Sequence, residues 1–194
     1  MDIVQKLAKT IKTPRQVQTY LRTLPYNREE KGETLYSAQK SLRRGSLHCL
    51  EATFVAAAIL EHHGYPPLVM SFESKDGLDH VIYVFQQKGK WGAVARSRDE
   101  GLHGRPPRYR SLRDLAWSYY DPYVDKTGKI TAFQIAHLDD CKVDWRTSKK
   151  SVWKVERYLI DLKHNPLKSS KERYKKLLRN YLERGSMPRQ KHWW

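Results

Sequence analysis

Residues 45–64 read Gly-Ser-Leu-His-Cys-Leu-Glu-Ala-Thr-Phe-Val-Ala-Ala-Ala-Ile-Leu-Glu-His-His-Gly, and no other stretch constrains the fold as strongly. After the cysteine comes an alanine-rich run of good helix formers, and His62-His63-Gly64 closes it with a residue able to take the left-handed conformation that ends a helix. A helix so apolar belongs in the interior, and the rest of the chain has to wrap around it. With 194 residues there is enough chain for one substantial core but not for two large domains. Cys49 stands in the first turn of this helix.

The flanking sequence suggests what does the wrapping. Ile3, Val4, Leu7, Ala8 and Ile11 form a helical stripe, and Thr13-Pro14 is a cap followed by proline at the first helical position, which predicts a second helix over 14–24. Residues 25–32 are turn-like, and Thr34 could cap a short helix through Leu42, with Gly45 beyond its end. Downstream, Pro66-Pro67 breaks into a strand over 68–72. Asp76-Gly77 turns the chain into a second strand over 80–85, and 87–90 closes a hairpin to a third over 91–97, giving an antiparallel meander. Residues 98–110 have no periodicity and read as a loop. Ser111 with Asp114 is a capping box for a helix ending near Asp121-Pro122, and 129–138 looks like another strand. The fold class expected is α+β.

The chemistry centres on the cysteine. A thiol attacks a carbonyl only as thiolate, and a helix start favours negative charge because its backbone N–H groups are unpaired. The backbone N–H of Cys49 also points where an oxyanion would form. The competing reading of a lone cysteine is a small buried hydrophobe, so a base has to be found. His80 opens a strand after a glycine turn, and alternation puts its ring on the face shared by Ile82 and Val84, expected to meet the cysteine helix. If the hairpin turn centres between Lys88 and Gly89, His80 lies opposite Ser97, with Asp99 on the diagonal. Ser97 is the better placed third member and Asp99 the better chemistry.

The segment Gly45 to Ala52, the helix leading into His63-Gly64-Tyr65-Pro66-Pro67, Asp79-His80-Val81 and Lys90-Trp91-Gly92 together resemble the transglutaminase-like superfamily of papain-like folds. The resemblance covers about residues 34–97. It implies a nucleophile helix packed on an antiparallel sheet, Cys49 as nucleophile, His80 as base, and acyl transfer or hydrolysis at an amide of a protein or peptide substrate, without a cofactor. The third position departs from the pattern: no acid follows Trp91 until Asp99. His48 borders the expected cleft, and Trp91, His103, Arg105 and Arg108 are further candidates for substrate binding, the last two as a clamp for an anionic group.

Charge enters through its distribution. The net charge is +16, and residues 142–194 hold sixteen Lys/Arg against five Asp/Glu. This suggests a catalytic domain over 1–141 and a basic helical extension over 142–194, whose helices near 148–163 and 170–184 offer a docking surface to nucleic acid or an acidic protein. No apolar stretch nears the roughly 20 residues of a membrane span. No paired metal-ligand spacing occurs. A start without an apolar leader and only two cysteines point to the cytoplasm and to free thiols. Two readings of function stand: a cysteine-dependent enzyme, and a non-catalytic module that keeps the fold and docks through its basic surface.

Overall fold

A computed structural model describes residues 2–30, 32–75 and 77–194. The turn expected at Asp76-Gly77 therefore lies partly outside the described residues. Helix α1 (Ile3–Thr10) and helix α2 (Pro14–Thr23) each begin with a capping box, Asp2 with Gln5 and Thr13 with Gln16. Helix α3 (Ala38–Arg44) is capped by Ser37, not by Thr34 as expected. The Thr34 hydroxyl is occupied instead, accepting from Asn27 Nδ2 and Arg44 Nη1 at 2.9 Å each. Helix α4 (Cys49–Leu60) buries every residue from Leu50 to Leu60. Gly64, at φ 79°, ends the turn that follows.

Strands β1 (Leu68–Ser74), β2 (Gly77–Gln87), β3 (Lys90–Val94), β4 (Arg105–Tyr109), β5 (Ala132–His137) and β6 (Asn165–Pro166) form one sheet in the order β4-β3-β2-β1-β5-β6, with every pairing antiparallel. The hairpin register follows the expectation, with Gln87 opposite Lys90 and Tyr83 opposite Val94. β4 corrects the reading of 98–110 as loop. Its Pro106 and Pro107 cannot donate to a ladder, which hid the strand, and an edge strand is where such prolines are tolerated.

Helix α5 (Leu112–Tyr123) starts from the Ser111–Asp114 capping box as expected and is followed, after β5, by α6 (Trp153–Asp161) and α7 (Lys171–Arg184). Period-two alternation divides the sheet between two cores. Val69, Val81, Tyr83, Phe85 and Ala136 face α4 in a cluster completed by α1, α2, α3 and α6. Met70, Phe72, Ile82, Val84, Ala93 and Phe133 face α5, with Tyr174, Leu177 and Leu178 of α7 at the edge.

The first core runs straight through the boundary expected at 141/142. Trp145, Val152, Val155 and Leu159 are buried in it at 0–1 % exposure, and Trp145 packs on Phe54 of α4 with ring centroids 6.1 Å apart. The peptide groups of Trp145 and Arg146 also accept from the Ala38 and Gln39 amides at 2.9 and 3.0 Å. Residues 145–161 thus belong to the body, whereas α7 buries no residue fully and carries the basic surface. Replacing Trp145 by Ala is expected to cost about 3–5 kcal/mol in denaturant unfolding. Replacing Lys175 and Lys176 of α7 by Gln is expected to leave the midpoint within about 0.5 kcal/mol of the parent.

Candidate active site

The approach to Cys49 is built by backbone pairing. Residues 25–27 run beside 45–47, with the Asn27 N–H donating to the Leu47 carbonyl at 3.0 Å and the Leu47 N–H to the Pro25 carbonyl at 3.2 Å. His48 is the N-cap of α4. Its Nε2–H donates to the Thr34 carbonyl at 2.9 Å, which leaves Nδ1 toward the Leu50 N–H, 3.3 Å away, and the thiol. Glu51, fully buried, ties the arrangement together: it accepts from the His48 and Tyr36 amides at 3.3 and 3.0 Å and pairs with Arg44.

Burial alone would push the Cys49 thiol up. Hydrogen bonds from His48 and His80, and the charge of both rings, outweigh it and hold the thiol at about 5. Burial likewise works against a charged His48, but the thiolate, with Glu51 and Glu29 behind it, raises that ring to about 9. The favoured state near neutral pH is a thiolate beside an imidazolium, at a helix start whose dipole favours the negative partner.

His80 lies near the start of β2, 3 % exposed, with its ring parallel to Phe72 at 6.2 Å and tilted against Tyr119 at the same distance. Here the sequence reading needs correction. α4 packs on the Val81, Tyr83 and Phe85 face of the sheet, not on the face His80 shares with Ile82 and Val84. The two side chains meet at the end of the sheet, where α4 begins. A register shift sits there, with His80 opposite Phe72 but Leu78 opposite Glu73, and such a bulge twists a strand and re-aims the adjoining side chain.

The third position also differs from the expectation. β3 stops at Val94 because Gln18, buried in α2, takes both main-chain groups of Ala95 at 2.9 Å and draws the chain out of the ladder. Ser97 Oγ then accepts the Asp99 N–H at 3.2 Å. The acceptor for His80 is a main-chain oxygen: its Nε2–H donates to the Leu102 carbonyl at 3.3 Å, leaving Nδ1 for the thiol. Ser97 and Asp99 do line the same cleft, a cavity of about 890 Å³ that also holds His48, Cys49 and His80.

Of the candidate substrate-binding residues, His48 lines the cleft, but Trp91, His103, Arg105 and Arg108 are not among its described lining residues. Trp91 pairs with Tyr109 across β3 and β4, and Arg108 is exposed elsewhere on β4. His103 is buried and held neutral at about 4, mainly by that burial, with its Nε2 3.1 Å from the Ser97 carbonyl. Arg105 is no anion clamp. It is fully buried, lies between the rings of Tyr119 and Trp193 at 4.1 and 3.5 Å, and donates to the carbonyls of His103 and Gly101 at 2.6 and 2.7 Å. These two carbonyls flank Leu102, so Arg105 holds the turn that orients His80. The chain packs so closely here that a Cβ on Gly104 would fall 2.1 Å from Gln18 Oε1.

Two functional groups escaped the sequence reading. The Leu102 carbonyl has no side-chain signature. Tyr26, in a segment readable only as a turn, faces the Cys49 backbone N–H with its hydroxyl, and burial first, then the thiolate's charge, raises its ionisation above the usual tyrosine value.

The cleft thus brings a cysteine at a helix start together with two imidazoles on an α+β scaffold. The family model described as Vasohibin matches residues 3–181, and the chain belongs to the Vasohibin family, whose fold is that of transglutaminase-like cysteine proteases. No curated protein sequence matches the chain. Among solved structures, Legionella pneumophila LapG (EGTA-treated) is similar with a TM-score of 0.43 at 10% identity, over 80% of this chain and 84% of that one.

Arg105→Met, which empties the clamp around Leu102, is expected to slow iodoacetamide labelling of Cys49 at pH 6 several-fold, with Cys141 as the internal control. An unchanged rate in a folded Arg105→Met protein would separate the clamp from the His80–Cys49 pair.

Proposed function

We propose that the protein hydrolyses an amide bond of a polypeptide through a thioester on Cys49. The observation that carries this reading is the thiol held near 5 by two imidazoles at the floor of the cleft. Membership of the Vasohibin family supports it. The thiolate attacks the carbonyl carbon, and a C–S bond forms as the carbonyl oxygen gains charge. That oxygen takes the Cys49 backbone N–H from Tyr26, whose O–H turns to donate to it. Protonated His80 gives its proton to the leaving amine as the C–N bond breaks. His80, now neutral, takes a proton from water, the hydroxide attacks the thioester, and the carboxylic acid leaves with the thiolate restored. The Leu102 carbonyl keeps the His80 ring oriented through both steps. In this reading Ser97 and Asp99 shape the cleft wall and the rim, and the non-catalytic alternative has no comparable observation behind it.

The test is to incubate the protein with a diverse peptide mixture, quench in acid, and look by intact mass spectrometry for an adduct on Cys49 that hydroxylamine removes. Adduct and cleaved peptides are expected together. Cys49→Ala should abolish both, and His80→Ala should lower turnover by roughly 10²–10⁴-fold. Because the thiol ionises near 5, the rate should rise as pH is raised through that value. Cleavage that persists in Cys49→Ala would refute the assignment.

A further inference from the structure

We propose that the cleft over Cys49 and His80 takes a polypeptide segment carrying lysine or arginine side chains next to the amide to be cleaved, a specificity that rests on the hydrolytic function above. The molecule as a whole argues the reverse, since a chain of net charge +16 would be expected to attract anions. The cleft departs from that average. Among the described residues, seven acidic ones line it: Glu29, Glu30 and Glu33 from one segment, Asp79 on β2 next to His80, Asp99 after β3, Asp125 after α5, and Glu156 on α6. Against them, among the described residues, stand Arg28, Arg98 and the His48 imidazolium.

Glu29 and Glu156 act on the charge of His48, but none of the seven is held in an ion pair among the described residues. The ion pairs among the described residues use Glu51, Glu61, Glu73, Glu100, Asp121 and Asp139, and none of the seven. Three of the seven serve local turns or contacts: Glu29 accepts from the Thr34 amide at 2.7 Å, Asp125 from the Thr127 amide at 2.7 Å, and Asp79 from Ser74 and Tyr123. For Glu30, Glu33, Asp99 and Glu156 no side-chain hydrogen bond or ion pair occurs among the described residues. Glu156 feels the crowding directly. Burial raises its carboxyl first, and the negative charges of Glu33, Cys49 and Glu29 raise it further, with His48 opposing. Carboxylates without a partner among the described residues, close to a thiolate and outnumbering Arg28, Arg98 and His48, leave a field that a cationic occupant would satisfy.

The shape indicates an extended occupant and not a single small amine. The acids come from several separate elements around the cleft that holds Cys49, and α6 adds an apolar shelf: Trp153 and Ile160, 39 % and 47 % exposed, flank Glu156 on one helical face that lines both the cleft and the groove next to it. A lysine or arginine stem laid on the Trp153 ring would bring its charged head to Glu156.

The experiment uses full-length Cys49→Ala protein, which binds without turning over. Three fluorescein-labelled peptides, identical except for two positions on each side of one central amide filled by Lys, Gln or Glu, are compared by fluorescence anisotropy. The Lys peptide should bind about tenfold or more tightly than the Glu peptide at low salt. The gap should shrink at about 0.5 M salt, where exposed charges are screened. It should shrink also in Glu33→Gln/Glu156→Gln protein, tested at low salt. Equal binding, preference for Glu, or a Lys preference untouched by the double substitution would overturn the proposal. So would lysine amide alone competing as well as the peptide, since the ligand would then be a free amine. Binding does not depend on chemistry, so a Lys preference without cleavage by the wild-type protein would leave this specificity standing and refute the hydrolytic reading, while cleavage indifferent to charge would do the opposite.

Discussion

Everything in the site depends on where the most apolar helix of the chain begins. α4 is buried along its whole length after Cys49, so its position is set by the core and cannot drift. Its first turn therefore presents the thiol, and the backbone N–H that the Tyr26 hydroxyl faces, at a defined point at the end of the sheet. A thiolate there would be costly if burial acted alone, and two imidazoles offset that cost from opposite directions, His48 from the helix cap and His80 from the sheet.

The second partner is held by main chain more than by side chain. Gln18 of α2 ends β3 early, Gly104 lets the chain pass against that glutamine, and Arg105 gathers the carbonyls on either side of Leu102. The outcome is one carbonyl oxygen fixed against His80 Nε2. A carbonyl can orient the ring and select its tautomer, as a carboxylate would, but brings no full charge to the imidazolium.

Much of this was legible in the sequence, and the parts that were not share a cause. The Ala-rich helix, the capping boxes at Thr13 and Ser111, and the 80–94 hairpin register all rest on local patterns, and local patterns survive folding. β4 was missed because Pro106-Pro107 looks like loop when the edge of the sheet is unknown. The face of β2 that meets α4 was misassigned because both faces of this strand are apolar and covered by helices, Val81, Tyr83 and Phe85 by α4 and Ile82 and Val84 by α5, so composition does not tell them apart. The third member was sought among side chains, whereas the chain uses a backbone oxygen, which no residue type announces. Tyr26 belongs to the same class, since only the pairing of 25–27 with 45–47 brings it to the helix start. The boundary at 142 followed charge, but Trp145 and Leu159 show that a basic stretch can still supply core.

The basic exterior and the acidic cleft are best understood as separate features of one molecule. Lysines and arginines dominate α7, which buries none of its residues fully, while the carboxylates cluster where the thiolate is. The central claim is narrower than either, namely that Cys49 is ionised in the resting protein. It is tested most directly by following the ultraviolet absorbance of the thiolate in Cys141→Ser protein as pH is raised. A single step near pH 5 that moves upward in His80→Ala protein is the predicted result. A step at the free-thiol value of about 8.5, indifferent to His80, would contradict the account.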